Sequence, residues 1–176
     1  LLNAPEYLER AREETGLVLG SNSGELETSS EFLTTLSRTK VARPVLFQNS
    51  LHNATTGFAS IHFRLTGPTF TVSNGRENPR EALWLAQNLL TENFCRACFV
   101  TLVEAHKLLA QFIGCEAAEG AATVLLVRED LAAELGRSAA PLFHFEEWSG
   151  SFTVIKEHAP LFAIDSAPFY RRAASG

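Results

Sequence analysis

The chain has 176 residues, 45% of them apolar and 20% charged, with a net charge of −5 and a pI near 5.6. A chain of that length buries about 70% of the surface it exposes when unfolded, so this composition excludes a disordered chain and one that needs disulfide staples. An acidic balance with no Lys/Arg stripe argues against nucleic acid as a partner, and apolar runs such as 121–127 are too short to span a bilayer.

The first residues, Leu1-Leu2-Asn3-Ala4-Pro5, lack the basic-then-apolar order of a signal peptide, and three cysteines cannot all pair within one chain. A reducing cytoplasm is the expected location. Pro5 to Glu14 reads as a short surface helix. Leu17-Val18-Leu19, between Gly16 and Gly20, reads as a buried strand, and Ser21 to Gly24 as the turn after it. Thr28 to Glu31 has capping-box spacing, with Phe32, Leu33 and Leu36 at helical intervals beyond it.

Pro44 opens what reads as an extended stretch to Phe47. Leu51, Ala54, Phe58, Ile61 and Leu65 then recur at steps of three and four, the stripe of one amphipathic helix ended by Gly67-Pro68. Gly57 lies inside that helix, where glycine costs about 1 kcal/mol relative to alanine, so a close neighbour against its backbone is expected. Phe70 to Val72 predicts a strand, Ser73 to Glu77 a turn, and Asn78-Pro79 with Glu81 an N-cap, a first-turn proline and an acid at the third position. Ala82, Ala86, Leu89 and Leu90 then form the buried face of a helix. Cys98 to Ala105 and Ala121 to Val127 read as interior strands, Arg128 to about Gly136 as a short helix, and the Phe143 and Phe152 segments as further strands. Strands alternate with helices, which predicts an α/β protein with at least part of its sheet parallel and one domain over residues 1–176.

Four segments, in order, resemble the β-ketoacyl synthases of the thiolase superfamily over about residues 6–128. Ser50-Leu51-His52-Asn53 with Gly57 is similar to a serine-x-x-asparagine-x-x-x-glycine segment of that family. Ile61 to Gly67-Pro68 matches the helix end before the family's nucleophile strand. Glu119-Gly120-Ala121-Ala122, followed by Thr123 to Leu126, is similar to the run entering a later strand, and Leu17 to Gly20 fits an earlier one. The resemblance implies a thiolase-like half: a mixed, mostly parallel sheet covered by helices. The strand and glycine turn with which that family begins, before its match to Leu17, are not found in this sequence. The Phe143 and Phe152 segments are candidates for the vacated sheet positions, the other reading being a longer chain that was trimmed.

The family's chemistry is a condensation in which a cysteine at a strand-to-helix turn takes up an acyl chain. A helix N-terminus there lowers the thiol pKa and its amides stabilise an oxyanion. Counting from Gly67-Pro68 puts Arg76 at the nucleophile position. No cysteine precedes Cys95, and a guanidinium stays protonated. The resemblance also implies two histidines from a second half, before which this chain ends. It therefore implies a degenerate, non-catalytic subunit of the chain-length-factor kind, with no cofactor. The expected partner is a second copy or an active synthase in fatty-acid or polyketide-type biosynthesis. By the same resemblance, the strand matching Phe70 to Val72 pairs across a two-fold axis, with the Ser50 to Leu65 helix nearby.

Residue by residue, several readings stand side by side. Arg76, with amides near Gly75 and Asn78 and with Asn74 beside them, is either an anion-binding group for an acyl-phosphopantetheine or carrier-protein ligand, or a solvated turn residue. His52 and Asn53 are either ligand or dimer contacts or packing residues at a helix start. Glu104 and His106 share a strand face, so an acid–base role with His52 in an altered acyl pocket is the enzyme alternative, and a surface pair is the plainer one. His62 reads as a core-edge residue. Cys95 and Cys98 form a C-x-x-C pair, either a redox pair or half a zinc site, or, as a helix end running into a strand suggests, two buried structural thiols. Cys115 is isolated, and no metal site is expected.

Overall fold

The computed structural model describes residues 11–104 and 120–134. The expected strands at Phe143 and Phe152, most of the expected first helix, His106 and Cys115 lie outside the described residues. Within them, a 3-10 turn at Arg12–Glu14 leads into β1 (Thr15–Gly20). The helices α1 (Leu26–Thr39), α2 (Pro44–Asn49) and α3 (Ala54–Phe63) connect it to β2 (Thr69–Val72). A 3-10 turn at Gly75–Glu77 precedes α4 (Asn78–Thr91). Then come β3 (Ala97–Glu104), β4 (Gly120–Val127) and α5 (Glu129–Glu134).

The sheet order is β2-β1-β3-β4. β1 is parallel to both neighbours, with Leu17 opposite Thr69 on one side and Phe99 on the other, while β3 and β4 run antiparallel from Ala97↔Val127 to Glu104↔Gly120. The sheet is mixed and mostly parallel, as expected. All six residues of β1 are buried because it lies between two strands. Val18 joins Ala82, Leu83, Ala86 and Leu89 of α4 and Val100, Leu102 and Leu126 of the neighbouring strands in one apolar cluster, against which Val72 also packs. Side chains alternate along a strand, so Thr71 faces away from that cluster. On that face its hydroxyl meets the Thr56 hydroxyl of α3 at 2.6 Å, which puts α3 and α4 on opposite faces of the sheet.

The helix expected to run to Gly67-Pro68 ends earlier, at Phe63, where a left-handed Arg64 caps it, and the glycine at 67 has a tertiary reason instead. A methyl group on Gly67 would run into the backbone carbonyl of Thr15, and Leu17 N–H donates to Pro68 C=O at 2.9 Å. Only a glycine lets the chain pass this close to β1.

Several expectations change. Pro44 to Phe47 is helical rather than extended: Arg43 takes the extended backbone required before proline, and Pro44 then starts α2 with its preset φ. The predicted helix from Ser50 to Leu65 is broken at 50–53 and begins only at Ala54. Its stripe faces outward, with Leu51 44%, Phe58 51% and Ile61 74% exposed, and only Leu65, beyond the left-handed Arg64, is buried. Beyond its own stretch of helix, no atom of the described residues lies within 4 Å of a methyl built on Gly57, so the expected close neighbour is not among them. The capping box at Thr28 to Glu31 lies inside α1, which starts at Leu26 after a turn in which Gly24 N–H donates to Ser21 Oγ at 2.9 Å. Asn78 is the first residue of α4 rather than its cap.

Candidate functional site

The carboxyl ends of β1, β2 and β3 come together, the usual place for a site in an α/β sheet. Three loops meet there: the Ser21–Gly24 turn, the Ser73–Glu77 turn, and the end of β3 at Glu104. Ser21 N–H donates to Val72 C=O at 3.0 Å, which ties the first turn to β2.

Asn78 is 2% exposed at the start of α4 and joins two of these loops. Its Nδ2 donates to Asn22 Oδ1 at 2.5 Å, and its Oδ1 accepts the Asn74 backbone N–H. Asn74 Nδ2 in turn donates to the Glu81 carboxylate. Glu104, 7% exposed, accepts from Asn22 N–H at 2.9 Å and from Ser23 Oγ at 3.3 Å. A buried carboxylate is tolerated when such donors satisfy it. The sequence reading missed Asn22 and Ser23. Their signal was the glycine-bounded polar turn directly after a buried strand.

His52 is exposed and lies against the other side of the first turn, its ring over the α-carbon of Gly24. A small open cleft there is lined by Leu19, Ser21, Glu25, His52, Thr55 and Val103. Glu25 accepts the Thr55 N–H at 3.2 Å and its hydroxyl, so the cleft's carboxylate is already engaged. His52 and Glu104 thus flank one turn rather than converging on one point. Asn53 precedes α3, is exposed, and gives its carbonyl to Gly57 N–H at 2.9 Å. His62, expected at a core edge, is exposed, and its ring stands edge-on to Phe63 at 4.9 Å.

The backbone places Arg76 in the middle of the 3-10 turn Gly75–Glu77, entered through a left-handed Gly75 (φ 58°). The positive end of α4 lies next to it. Glu77 and Glu81 stand in these first turns, and Glu77 pairs with Arg80 at 3.6 Å. Their carboxylates answer the helix dipole from within the chain. Cys95 and Cys98 lie at the opposite end of β3, both buried, as the plainer reading expected. Among the described residues no group of three or more His, Cys, Asp or Glu could hold a metal ion, and no helix is long and apolar enough to cross a membrane.

Residues 2–132 match the family described as beta-ketoacyl synthase, N-terminal domain. No curated protein matches the chain. Among solved structures, it is similar to a ketosynthase in complex with its chain length factor from Xenorhabdus doucetiae. That match has 22% identity and a TM-score of 0.59, covering 70% of this chain and 52% of that one. The ishigamide ketosynthase/chain length factor matches at 25% identity and a TM-score of 0.60, over 67% and 37% of the two chains. A beta-ketoacyl synthase from Burkholderia phymatum matches at 17% and 0.59, over 73% and 38%. The chain therefore spans about half or less of these proteins. The shared fold is the thiolase-like one, a mixed sheet with helices packed on it.

Proposed function

Because the chain belongs to the beta-ketoacyl synthase N-terminal domain family, we propose that it works by binding rather than by condensation, as a synthase-like partner in fatty-acid or polyketide-type biosynthesis. The observation that carries this reading is the strand-to-helix turn at 73–78. It holds no thiol, and Asn74 and Asn78 spend their hydrogen bonds on each other, on Asn22 and on Glu81. A turn without a thiol lacks the nucleophile that this condensation uses, and its two asparagine side chains are already engaged.

A partner surface supports the same reading. Among the described residues β2 pairs only with β1, so its other edge has no strand beside it. Phe70 on that strand is 42% exposed, and Phe58, Ile61 and Phe63 of α3 are 51%, 74% and 56% exposed. An open strand edge beside an apolar helix face suits a second subunit that adds a strand and covers the helix. The similar ketosynthase from Xenorhabdus doucetiae, which is in complex with its chain length factor, favours an active synthase as that subunit.

Light scattering at micromolar concentration, on the chain alone and co-purified with an active synthase, tests the proposal. A 1:1 complex, or a homodimer of the chain alone, is the expected result. A monomer that leaves the synthase unbound overturns it, as does condensing activity of the chain by itself.

A further inference from the structure

We propose that Cys95 and Cys98 are a modification site: an intramolecular disulfide that forms when the folded protein meets a peroxide. The site lies apart from the 73–78 turn and does not depend on the proposed binding role. Cys98 pairs in register with Gly16 of β1, and the chain bends after α4, where Cys95 N–H donates to Leu89 C=O at 3.3 Å. The bend brings both side chains over one α-carbon. A methyl group on Gly16 would lie 3.3 Å from the Cys95 sulfur and 3.4 Å from the Cys98 sulfur. Both sulfurs lie against the same point, where Gly16 has no side chain, and the two thiols share a side-chain hydrogen bond.

The two thiols are not equivalent. Cys98 is fully buried, whereas Cys95 keeps 3% of its surface. The adjacent Cys98 thiol, with the Gly16 backbone and the Arg128 charge, holds Cys95 below the usual thiol range despite its burial. Cys98 is pushed upward by its contact with Cys95 and by desolvation. Cys95 is therefore the attacking sulfur and Cys98 the one that resolves. With Cys95 3% exposed and Cys98 fully buried, a bulky disulfide such as oxidised glutathione cannot reach them, so the oxidant proposed is the small hydrogen peroxide.

In the first step the Cys95 thiolate attacks one peroxide oxygen. The O–O bond breaks, giving a sulfenic acid and a hydroxide that takes up the proton Cys95 released. In the second step the Cys98 sulfur attacks the sulfenic sulfur. The S–S bond forms, the S–O bond breaks, and the departing hydroxide leaves as water with the Cys98 proton. In sum, two thiols and one hydrogen peroxide give one disulfide and two waters, the thiols being oxidised and the peroxide reduced.

Trypsin provides the test, because it cuts after Arg96, between the two cysteines. The native chain is treated with hydrogen peroxide, its remaining thiols are alkylated in denaturant, and it is digested without reductant. Peptides 81–96 and 97–107 are expected as one linked species that dithiothreitol splits. Cys98→Ser is expected to lose that species and to leave a sulfenic acid on Cys95, trapped by dimedone. The proposal is overturned if the wild-type chain gives both peptides alkylated, Cys95 as a sulfinic acid, or a link to Cys115. If Cys98→Ser does not fold, the wild-type peptide map decides alone.

Discussion

The imidazole of His52 lies directly on the α-carbon of Gly24, so that a methyl group at residue 24 would overlap the ring nitrogen Nδ1. Gly24 is also left-handed, at φ 47°, in the turn that joins β1 to α1. Both constraints act on one residue, and they can be separated. Gly24→Ala is expected to destabilise the protein by about 1–2 kcal/mol for the backbone alone, with a further loss from the clash. Pairing it with His52→Ala should recover the second part only. Urea unfolding of the wild type, both single variants and the double variant gives the coupling directly. Strictly additive effects would show that the ring does not press on Gly24.

Glu104 holds the same turn from the other side, through Asn22 N–H and Ser23 Oγ. Glu104→Ala strands a part-buried amide donor, for which the penalty of an unmade bond falls toward the low end of about 1–3 kcal/mol. The expected result is a lower thermal midpoint, with Glu104→Gln falling between the alanine variant and the wild type because its amide oxygen still accepts. A glutamine variant less stable than the alanine one would contradict this assignment.

Ile61, 74% exposed on α3, contributes little to the core of the isolated chain. Ile61→Asp should therefore change the stability of the monomer by no more than about 0.5 kcal/mol. On the proposed partner surface it should nonetheless abolish association in light scattering. Unchanged association would place the interface elsewhere.

Acid should unfold the protein partly through Asp130. Desolvation opposes its ionisation, but the Arg128 hydrogen bond, the Leu131 N–H and the charges of Arg128 and Arg96 outweigh it, so its carboxyl titrates below the usual value. A depressed carboxylate stabilises the fold fully above its ordinary pKa of about 4, and that contribution fades as pH falls through the lower folded value. Between about pH 4 and pH 2 the wild type should lose stability more steeply than Asp130→Asn, the two converging at the acid end. Parallel thermal midpoints across that range would show that Asp130 does not carry the effect.

Much of this was legible in the sequence because it is local. β-Branched and apolar runs marked β1, β2, β3 and β4 to within a few residues, whereas the helix expected to run to the Gly-Pro at 67–68 ends at Phe63. Asn74 and Gly75 were placed in the Ser73 to Glu77 turn, where they lie, while Asn78, read as the cap of the next helix, is its first residue. Helix periodicity was a weaker guide at residues 44–65. It reports that one side of a helix is apolar but not what covers that side, and so it missed both the break at 50–53 and the outward-facing stripe. The Glu25 to Thr55 bonds were equally out of reach, since they join residues 30 apart in the chain.

The sequence by itself determined the strands, the α/β class, the family resemblance and the lack of a thiol where the resembled enzymes keep theirs, all of which depend on residue type and short spacing. Only the tertiary structure decided that β1 sits between β2 and β3, and that Asn22 meets Asn78 and Glu104. It also brought Cys95 and Cys98 together over Gly16. The physical reason is the same in each case. Parallel strands must be joined by long crossovers, so their partners are set by how helices pack on the sheet, and no local pattern records that.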